Sequence, residues 1–234
     1  MSKIIPYEFN PNITFPAYLT RNRLLRTISL LTPKLQGKLL DFGCGSKPYK
    51  SLFTVEQYIG IDFENPGHPH LNEQIDVFYD GKKIPFPNDH FDSIFSSEVF
   101  EHIFNLDEIL YELNRVLKPE GLMVVTCPFS ICEHEVPNDF ARYSSYSIKY
   151  LLEKNGFEVL EQFKTGNSIE TIMQLRITYI NQHLMTYIRK IPIVRQLFRL
   201  LVFTGLNTYA IICSKIFPSG MELYLNNVLL CRKK

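Results

Sequence analysis

The sequence predicts a doubly wound α/β domain: seven mostly parallel strands with helices on both faces and a helical insertion between strands six and seven. Three observations predict it. Apolar runs of strand length alternate with amphipathic stretches of helix length along residues 18–165. The run Leu39-Leu40-Asp41-Phe42-Gly43-Cys44-Gly45 carries an apolar strand into an acid and two glycines, where such a sheet turns its chain around a ligand. A second apolar run, 58–62, ends in another acid, Asp62.

The elements follow in order. Residues 18–31 read as a helix, with Leu24, Leu25, Ile28 and Leu31 at helical spacing among arginines, suited to a lid over a bound ligand. After the first strand, Gly43 and Gly45 lack a Cβ, so the chain can take positive φ and a ligand can approach the main chain. A dinucleotide loop would read G-x-G-x-x-G, but Pro48 holds the third glycine's place. Asp41 would repel a pyrophosphate and attract an ammonium or sulfonium group, so the loop suits a cationic amino-acid nucleoside. Asp62 then stands where doubly wound sheets bind ribose hydroxyls. A third strand, 74–79, ends at Asp80-Gly81, and a fourth, from Phe91, ends near Ser96. Asn105 is placed to cap a helix over 106–117, with Glu108 completing a capping box and Lys118-Pro119-Glu120-Gly121 stopping it. Strand five over 122–127, a helix over 145–155 ended by Gly156, strand six over 157–163 and strand seven over 222–231 complete the pattern.

These residues resemble the class I S-adenosylmethionine-dependent methyltransferases, within them the type 11 small-molecule group, whose fold is Rossmann-like. The resemblance covers roughly residues 36–165 in one order: Asp41-x-Gly43-x-Gly45, Asp62, Asp80 with Ile84-Pro85-Phe86, Phe91-Asp92, Glu98-Val99-Phe100-Glu101-His102 and Leu117-Lys118-Pro119-Glu120-Gly121. It implies S-adenosylmethionine as cofactor. Asp41 with Gly43 and Gly45 would hold the methionine part, Asp62 the ribose, and Asp80 with Gly81 the adenine edge, while Ser97 and Glu98 would line the pocket. Where many members carry a third glycine this chain has Lys47, so the loop is expected to run differently and Lys47 to face solvent. Plainer readings stand beside these. Asp41 and Asp62 could cap helices, Asp80-Gly81 is an ordinary turn pair, and Glu98 and Glu101 could be first-turn acids facing a helix dipole, the preferred account for Glu101.

The loop 128–143 sits after strand five, at the ligand-binding edge of such sheets, and is rich in titratable and aromatic groups. It is the expected acceptor wall, with Glu135, Asp139, Arg142 and Tyr143 as substrate contacts and His134 as a base. His102 is its rival for that role. The alternative is that Asp139 and Arg142 pair with each other and merely order the loop. The strand-end loops show no metal cluster, so transfer without a metal is expected.

Five cysteines, at 44, 127, 132, 213 and 231, form no C-x-x-C pair and are odd in number, which argues against zinc and against a disulfide framework and suits a reducing cytoplasm. The N-terminus lacks the apolar stretch of a secretion signal. Charge is uneven: residues 1–165 hold 16 Lys+Arg against 22 Asp+Glu, and residues 166–234 hold 9 against 2. The acidic catalytic part excludes the broad basic face of a nucleic-acid enzyme. Within the insertion, about 165–220, Pro192 suits a first helical position and Gly205 an end, with Arg195 and Arg199 opposite Val194, Leu197, Phe198 and Leu201. A core-facing cap, a peripheral membrane contact through 190–217 at the inner membrane surface, and a lid or dimer surface all remain open. The uncharged run 200–214 is shorter than the ~20 residues of a bilayer span. The whole reads as one methyltransferase domain acting on a small-molecule, glycan-linked or lipid-linked acceptor. The alternatives are an NAD(P)-binding oxidoreductase and a methyltransferase-like binding protein without catalysis.

Overall fold

The computed structural model describes residues 5–63, 74–188 and 191–234. They form two compact units, one holding 28–163 with 227–234, the other joining 5–27 to 164–226.

The first unit contains the sheet, in the order β3-β2-β1-β4-β5-β7-β6. Its strands are β1 (Lys38–Phe42), β2 (Gln57–Phe63), β3 (Val77–Tyr79), β4 (Phe91–Ser97), β5 (Leu117–Pro128), β6 (Phe157–Thr165) and β7 (Asn226–Lys233). β1 runs parallel to β2 and β4, β2 to β3, and β4 to β5, with Asp41 level with Gly60 on one side and Phe95 on the other. The order reverses between β1 and β4, and the crevice outside that point is where open α/β sheets bind ligands. Strands covered on both faces need near-continuous apolar runs, and Leu39, Leu40 and Phe42 of β1 are fully buried. Helix α2 (Leu106–Val116) presses Leu106, Ile109, Leu110, Leu113 and Val116, spaced three and four apart, into the core. Helix α3 (Ser145–Lys154) begins where the Ser144 hydroxyl accepts the Ser147 N–H at 3.2 Å, a cap of about 1 kcal/mol.

Several boundaries depart from the sequence expectation. β3 starts at Val77 because the Asp76 carboxylate, rather than a strand neighbour, accepts the Gly60 N–H at 2.7 Å; the expected strand's first residue, Gln74, lies just past 64–73, which fall outside the described residues. The capping box at Asn105 does not form: its amide donates to Glu108 Oε2 at 2.8 Å, and its side chain accepts nothing from the helix. Residues 118–121 do stop α2, yet they belong to β5, whose register against β4 slips between Phe91 and Ser93.

In the second unit, α4 (Ser168–Tyr179) is capped by Asn167, which accepts the Glu170 N–H at 3.0 Å. Short α5 (Met185–Ile188) and a 25-residue helix, Pro192–Ile216, follow. The long helix comprises α6 (Pro192–Phe198), a π-helical turn Arg199–Phe203, and α7 (Thr204–Ile216). Pro192 opens it as expected, but Gly205 does not end it. Burial of Phe203, Ala210 and Cys213 around Gly205 outweighs the ~1 kcal/mol that glycine costs a helix. At this length the helix is long and apolar enough to cross a membrane, which corrects the limit drawn from its uncharged run. Its buried side meets Leu19, Met173 and Ile177, and the Asn207 amide donates to the Ile13 and Phe15 carbonyls at 2.8 and 3.1 Å.

Candidate active site

Three acids stand at or just past the carboxyl ends of three adjacent strands: Asp41 in β1, Asp62 in β2 and Asp80 after β3. Between them the chain turns at Gly43 (φ 70°) and Gly45 (φ 43°). The Gly43 and Cys44 N–H groups both donate to the Ile61 carbonyl, at 2.9 and 3.0 Å, and Gly45 N–H donates to Asp62 Oδ2 at 2.7 Å. A Cβ on Gly43 would lie 2.4 Å from Val99 Cγ2, so both the dihedral and the packing demand glycine. Lys47 keeps the left-handed backbone (φ 55°) that a third glycine would supply. Its side chain is not in solvent, as expected from sequence, but 7% exposed with Nζ 2.7 Å from Asp76.

Asp41 is buried and accepts a hydrogen bond from the Tyr58 hydroxyl. Burial pushes its carboxyl up to about 7, with the Tyr58 hydrogen bond opposing only part of that rise. A cation beside it would restore the charge, so Asp41 fits the ammonium end of a methionine-type ligand. Asp62 uses Oδ2 for Gly45 and Oδ1 for the Phe63 N–H at 2.8 Å, which ties the glycine loop to β2. Asp80 does what a turn asks: its exposed carboxylate accepts the Lys82 and Lys83 N–H groups, both at 2.9 Å, and these hold it below the usual carboxylate range. Gly81 (φ 78°) lies against the half-exposed ring of Phe63, an aromatic face that the sequence reading did not single out. Across the crevice, Thr126 donates to Glu98 Oε1 at 2.8 Å, accepts the Glu98 N–H at 3.1 Å and meets the Ser97 hydroxyl at 2.9 Å. Thr126 thereby fixes both predicted pocket residues and was itself missed.

The acceptor end is built where a 3-10 turn, Phe100–His102, follows β4. Its Glu101 carbonyl accepts the Phe140 and Ala141 N–H groups at 2.8 and 3.2 Å, drawing the 128–143 loop onto the turn. The two rival histidines consequently meet, ring centroids 4.8 Å apart at 79°. His102 Nδ1 lies 2.6 Å from the Asn138 carbonyl, and His134 Nδ1 lies 3.2 Å from the Cys132 carbonyl and 3.3 Å from Arg142 Nη2, which leaves both Nε2 atoms free of these loop contacts. Both Nε2 atoms face Glu101 Oε1, at 3.7 and 4.0 Å. Glu101 does stand in the first turn, as expected from sequence, but it is fully buried there, and neither carboxyl oxygen has a hydrogen-bond partner. Burial, then the charge of Glu98, raises its carboxyl well above the usual range. Burial, then His102, lowers His134, leaving it neutral near pH 7.

Asp139 and Arg142 form a two-pronged pair at 2.5 and 2.6 Å, and Asp139 also accepts the His134 N–H at 3.0 Å. That pair orders the loop and orients His134, in agreement with the plainer of the two sequence readings. Glu135 is half exposed, with Oε2 3.9 Å from His102 Nε2. Tyr143 packs on the core beneath the loop, and burial pushes its phenol up to about 12. Glu101, His102 and His134 offer ligand atoms within 4.8 Å of one another, a group a single divalent cation could draw together. Spacing along the chain could not show it, because backbone bonds from residues 140 and 141 bring His134 to Glu101.

A family model described as a methyltransferase domain matches residues 17–162. The chain is 28% identical over 174 residues, 66% of its length and 45% of the relative's, to the mitochondrial ubiquinone biosynthesis O-methyltransferase of Bos taurus. Over 68 residues, 29% of the chain and 26% of the relative, it is 40% identical to the ubiquinone/menaquinone biosynthesis C-methyltransferase of Shewanella oneidensis. The chain spans about half or less of the length of the curated relatives it matches. Among solved structures, a candidate sarcosine dimethylglycine methyltransferase from Galdieria sulphuraria superposes with a TM-score of 0.59 at 17% identity, covering 99% of this chain and 92% of that one. Phosphoethanolamine N-methyltransferase 2 of Haemonchus contortus, solved with S-adenosyl-L-methionine, superposes at 0.54 and 18% identity, covering 91% and 52%. At these identities the structures speak for the fold.

Proposed function

The chain belongs to the class I S-adenosylmethionine-dependent methyltransferases, and from that premise we propose that its acceptor is a small molecule, free or carried on a glycan or lipid, presented to the His102–His134–Glu101 cluster. The cofactor supplies an activated methyl group on a sulfonium. The residues' part is to align the acceptor with that methyl, exclude water and take up a proton. Asp41, with the Gly43–Gly45 turn, suits the methionine end, and Asp62 and the ring of Phe63 the nucleoside end, all at the strand-order switch point. His134 Nε2 is the base: the loop holds its ring by Nδ1, Asp139 holds its backbone, and burial keeps it unprotonated. His102, anchored by Asn138, and the Glu101 carboxyl orient the acceptor's oxygen or nitrogen.

The observation that carries this reading is the meeting of two imidazole rings with a buried carboxyl that has no hydrogen-bond partner, past the carboxyl ends of β4 and β5. The relatives methylate oxygen or carbon by name, so the family alone does not fix the acceptor atom. The test is a screen of cell-extract fractions with isotopically labelled methyl donor, run with His134→Gln and after chelation. His134→Gln should lower transfer by about 10²–10⁴-fold, the usual worth of a general base. Unchanged transfer in His134→Gln removes it from the chemistry, and loss after chelation assigns the cluster to a cation.

A further inference from the structure

We propose that the second unit docks flat on an anionic phospholipid surface through the outward side of the Pro192–Ile216 helix. A helix packed along one side of a water-soluble unit ordinarily turns charged residues outward. This one reverses the rule. While Phe203, Asn207 and Ala210 are buried, the opposite stripe carries Leu201, Tyr209, Ile212 and Ile216, of which Leu201 is 69% and Ile216 68% exposed. Ile193, 74% exposed, and Leu197 extend the same apolar surface toward the helix start. Large exposed apolar side chains recurring along one side of a surface helix mark an interaction site.

Charge identifies the occupant. Residues 171–221 contain Arg176, Arg189, Lys190, Arg195, Arg199 and Lys215 and not one aspartate or glutamate. Arg195 and Arg199 together line two clefts of about 470 and 430 Å³ within this unit, beside Phe15 and Thr186 in one and Tyr7 and Thr14 in the other. The two guanidinium groups line clefts that hold no residue of the stripe, so they suit phosphate headgroups and add to the unit's positive field, while the stripe itself suits acyl chains. A second copy of the chain suits the surface poorly, since a two-fold contact would set the same cations against each other with no carboxylates between them. Spanning is also disfavoured, although the helix has the length. Asn207 ties its inner side to the Ile13 and Phe15 carbonyls, and leaving the unit would strand those groups. The helix therefore lies in the interface plane.

Flotation of the full chain with vesicles settles the matter without any methyl acceptor. The chain should float with phosphatidylcholine vesicles containing phosphatidylglycerol at low salt, bind pure phosphatidylcholine at least tenfold more weakly, and leave the vesicles at alkaline pH. Arg195→Glu with Arg199→Glu, and separately Leu201→Asp with Ile212→Asp, should each cut vesicle binding at least tenfold while circular dichroism and S-adenosylmethionine binding stay unchanged. All these positions lie outside the cofactor site. A chain that stays in the aqueous fraction at low salt, or variants that float like the wild type, overturn the proposal. So does self-association abolished by Leu201→Asp with Ile212→Asp, which would make the stripe a subunit interface, and so does resistance to alkaline extraction, which would make the helix a span.

Discussion

Gly43→Ala is the sharpest probe of the cofactor loop. At φ 70° an alanine incurs about 1–2 kcal/mol of left-handed strain. Its methyl would also stand 2.4 and 2.6 Å from the two γ-carbons of Val99, an overpacking of about 1–3 kcal/mol. The sum, about 2–5 kcal/mol, corresponds to a fall in Tm of roughly 4–20 °C for a chain of this size. Val99→Ala removes both offending carbons. A double-mutant cycle by thermal and denaturant unfolding should therefore return a favourable coupling of about 1–3 kcal/mol, with the backbone strain left behind. S-adenosylmethionine affinity should follow the same order, weakest in Gly43→Ala and partly restored in the double variant. A strictly additive cycle, or a Gly43→Ala protein as stable and as tightly binding as the wild type, would refute the claim that Val99 and a left-handed residue 43 set this turn.

Asp41 makes cofactor affinity depend on pH. Its carboxyl sits near 7 in the free protein and is needed as an anion, so S-adenosylmethionine binding should strengthen as pH rises from 6 toward 8, by up to about tenfold per unit below the midpoint. Asp41→Asn should flatten that rise in calorimetric titrations. Burial raises the Glu101 carboxyl well above the ordinary range, so its contribution to stability is full below that range and declines as pH rises toward its elevated value. Glu101→Gln should be tolerated near pH 7 and should reduce that decline in pH-dependent melts, whereas a larger loss on heating at every pH would mean the carboxyl is charged. Lys47→Gly should match or exceed Lys47→Ala in stability by about 1 kcal/mol, since both lose the Asp76 pair but only alanine keeps the strained dihedral. Equal melting of the two would show that Lys47 is unstrained. His134 must be neutral to act, so transfer should fall as pH drops through a midpoint below the ordinary histidine value of 6.5, and a midpoint above it would contradict the burial argument.

The sheet was legible because its signals are local: an apolar run, an acid, then glycines that only a tight turn requires. Helices α1 (Tyr18–Leu31), α2 and α3 began where their apolar spacing or capping residue indicated. What stayed hidden depended on distant partners. Glu101 reads as a helix-start acid until the 128–143 loop folds over it, and Lys47 reads as a surface lysine until Asp76 arrives from beyond β2. Asp80 showed the opposite, since its turn role was fully local and could be read in Asp80-Gly81. In the insertion, spacing alone left the facing of the apolar residues from Ile193 to Ile216 open. The π turn at Arg199–Phe203 shifts the helical register, and half the apolar residues face out.

The central claim, that the acid-tipped ends of β1 and β2 and the turn after β4 hold the cofactor, is tested most directly by amide hydrogen exchange on the full chain with and without S-adenosylmethionine. Exchange should slow in 41–47, 58–63 and 97–102, with the 192–216 helix unchanged. Unaltered exchange in those three segments at saturating ligand, or protection confined to the second unit, would contradict it.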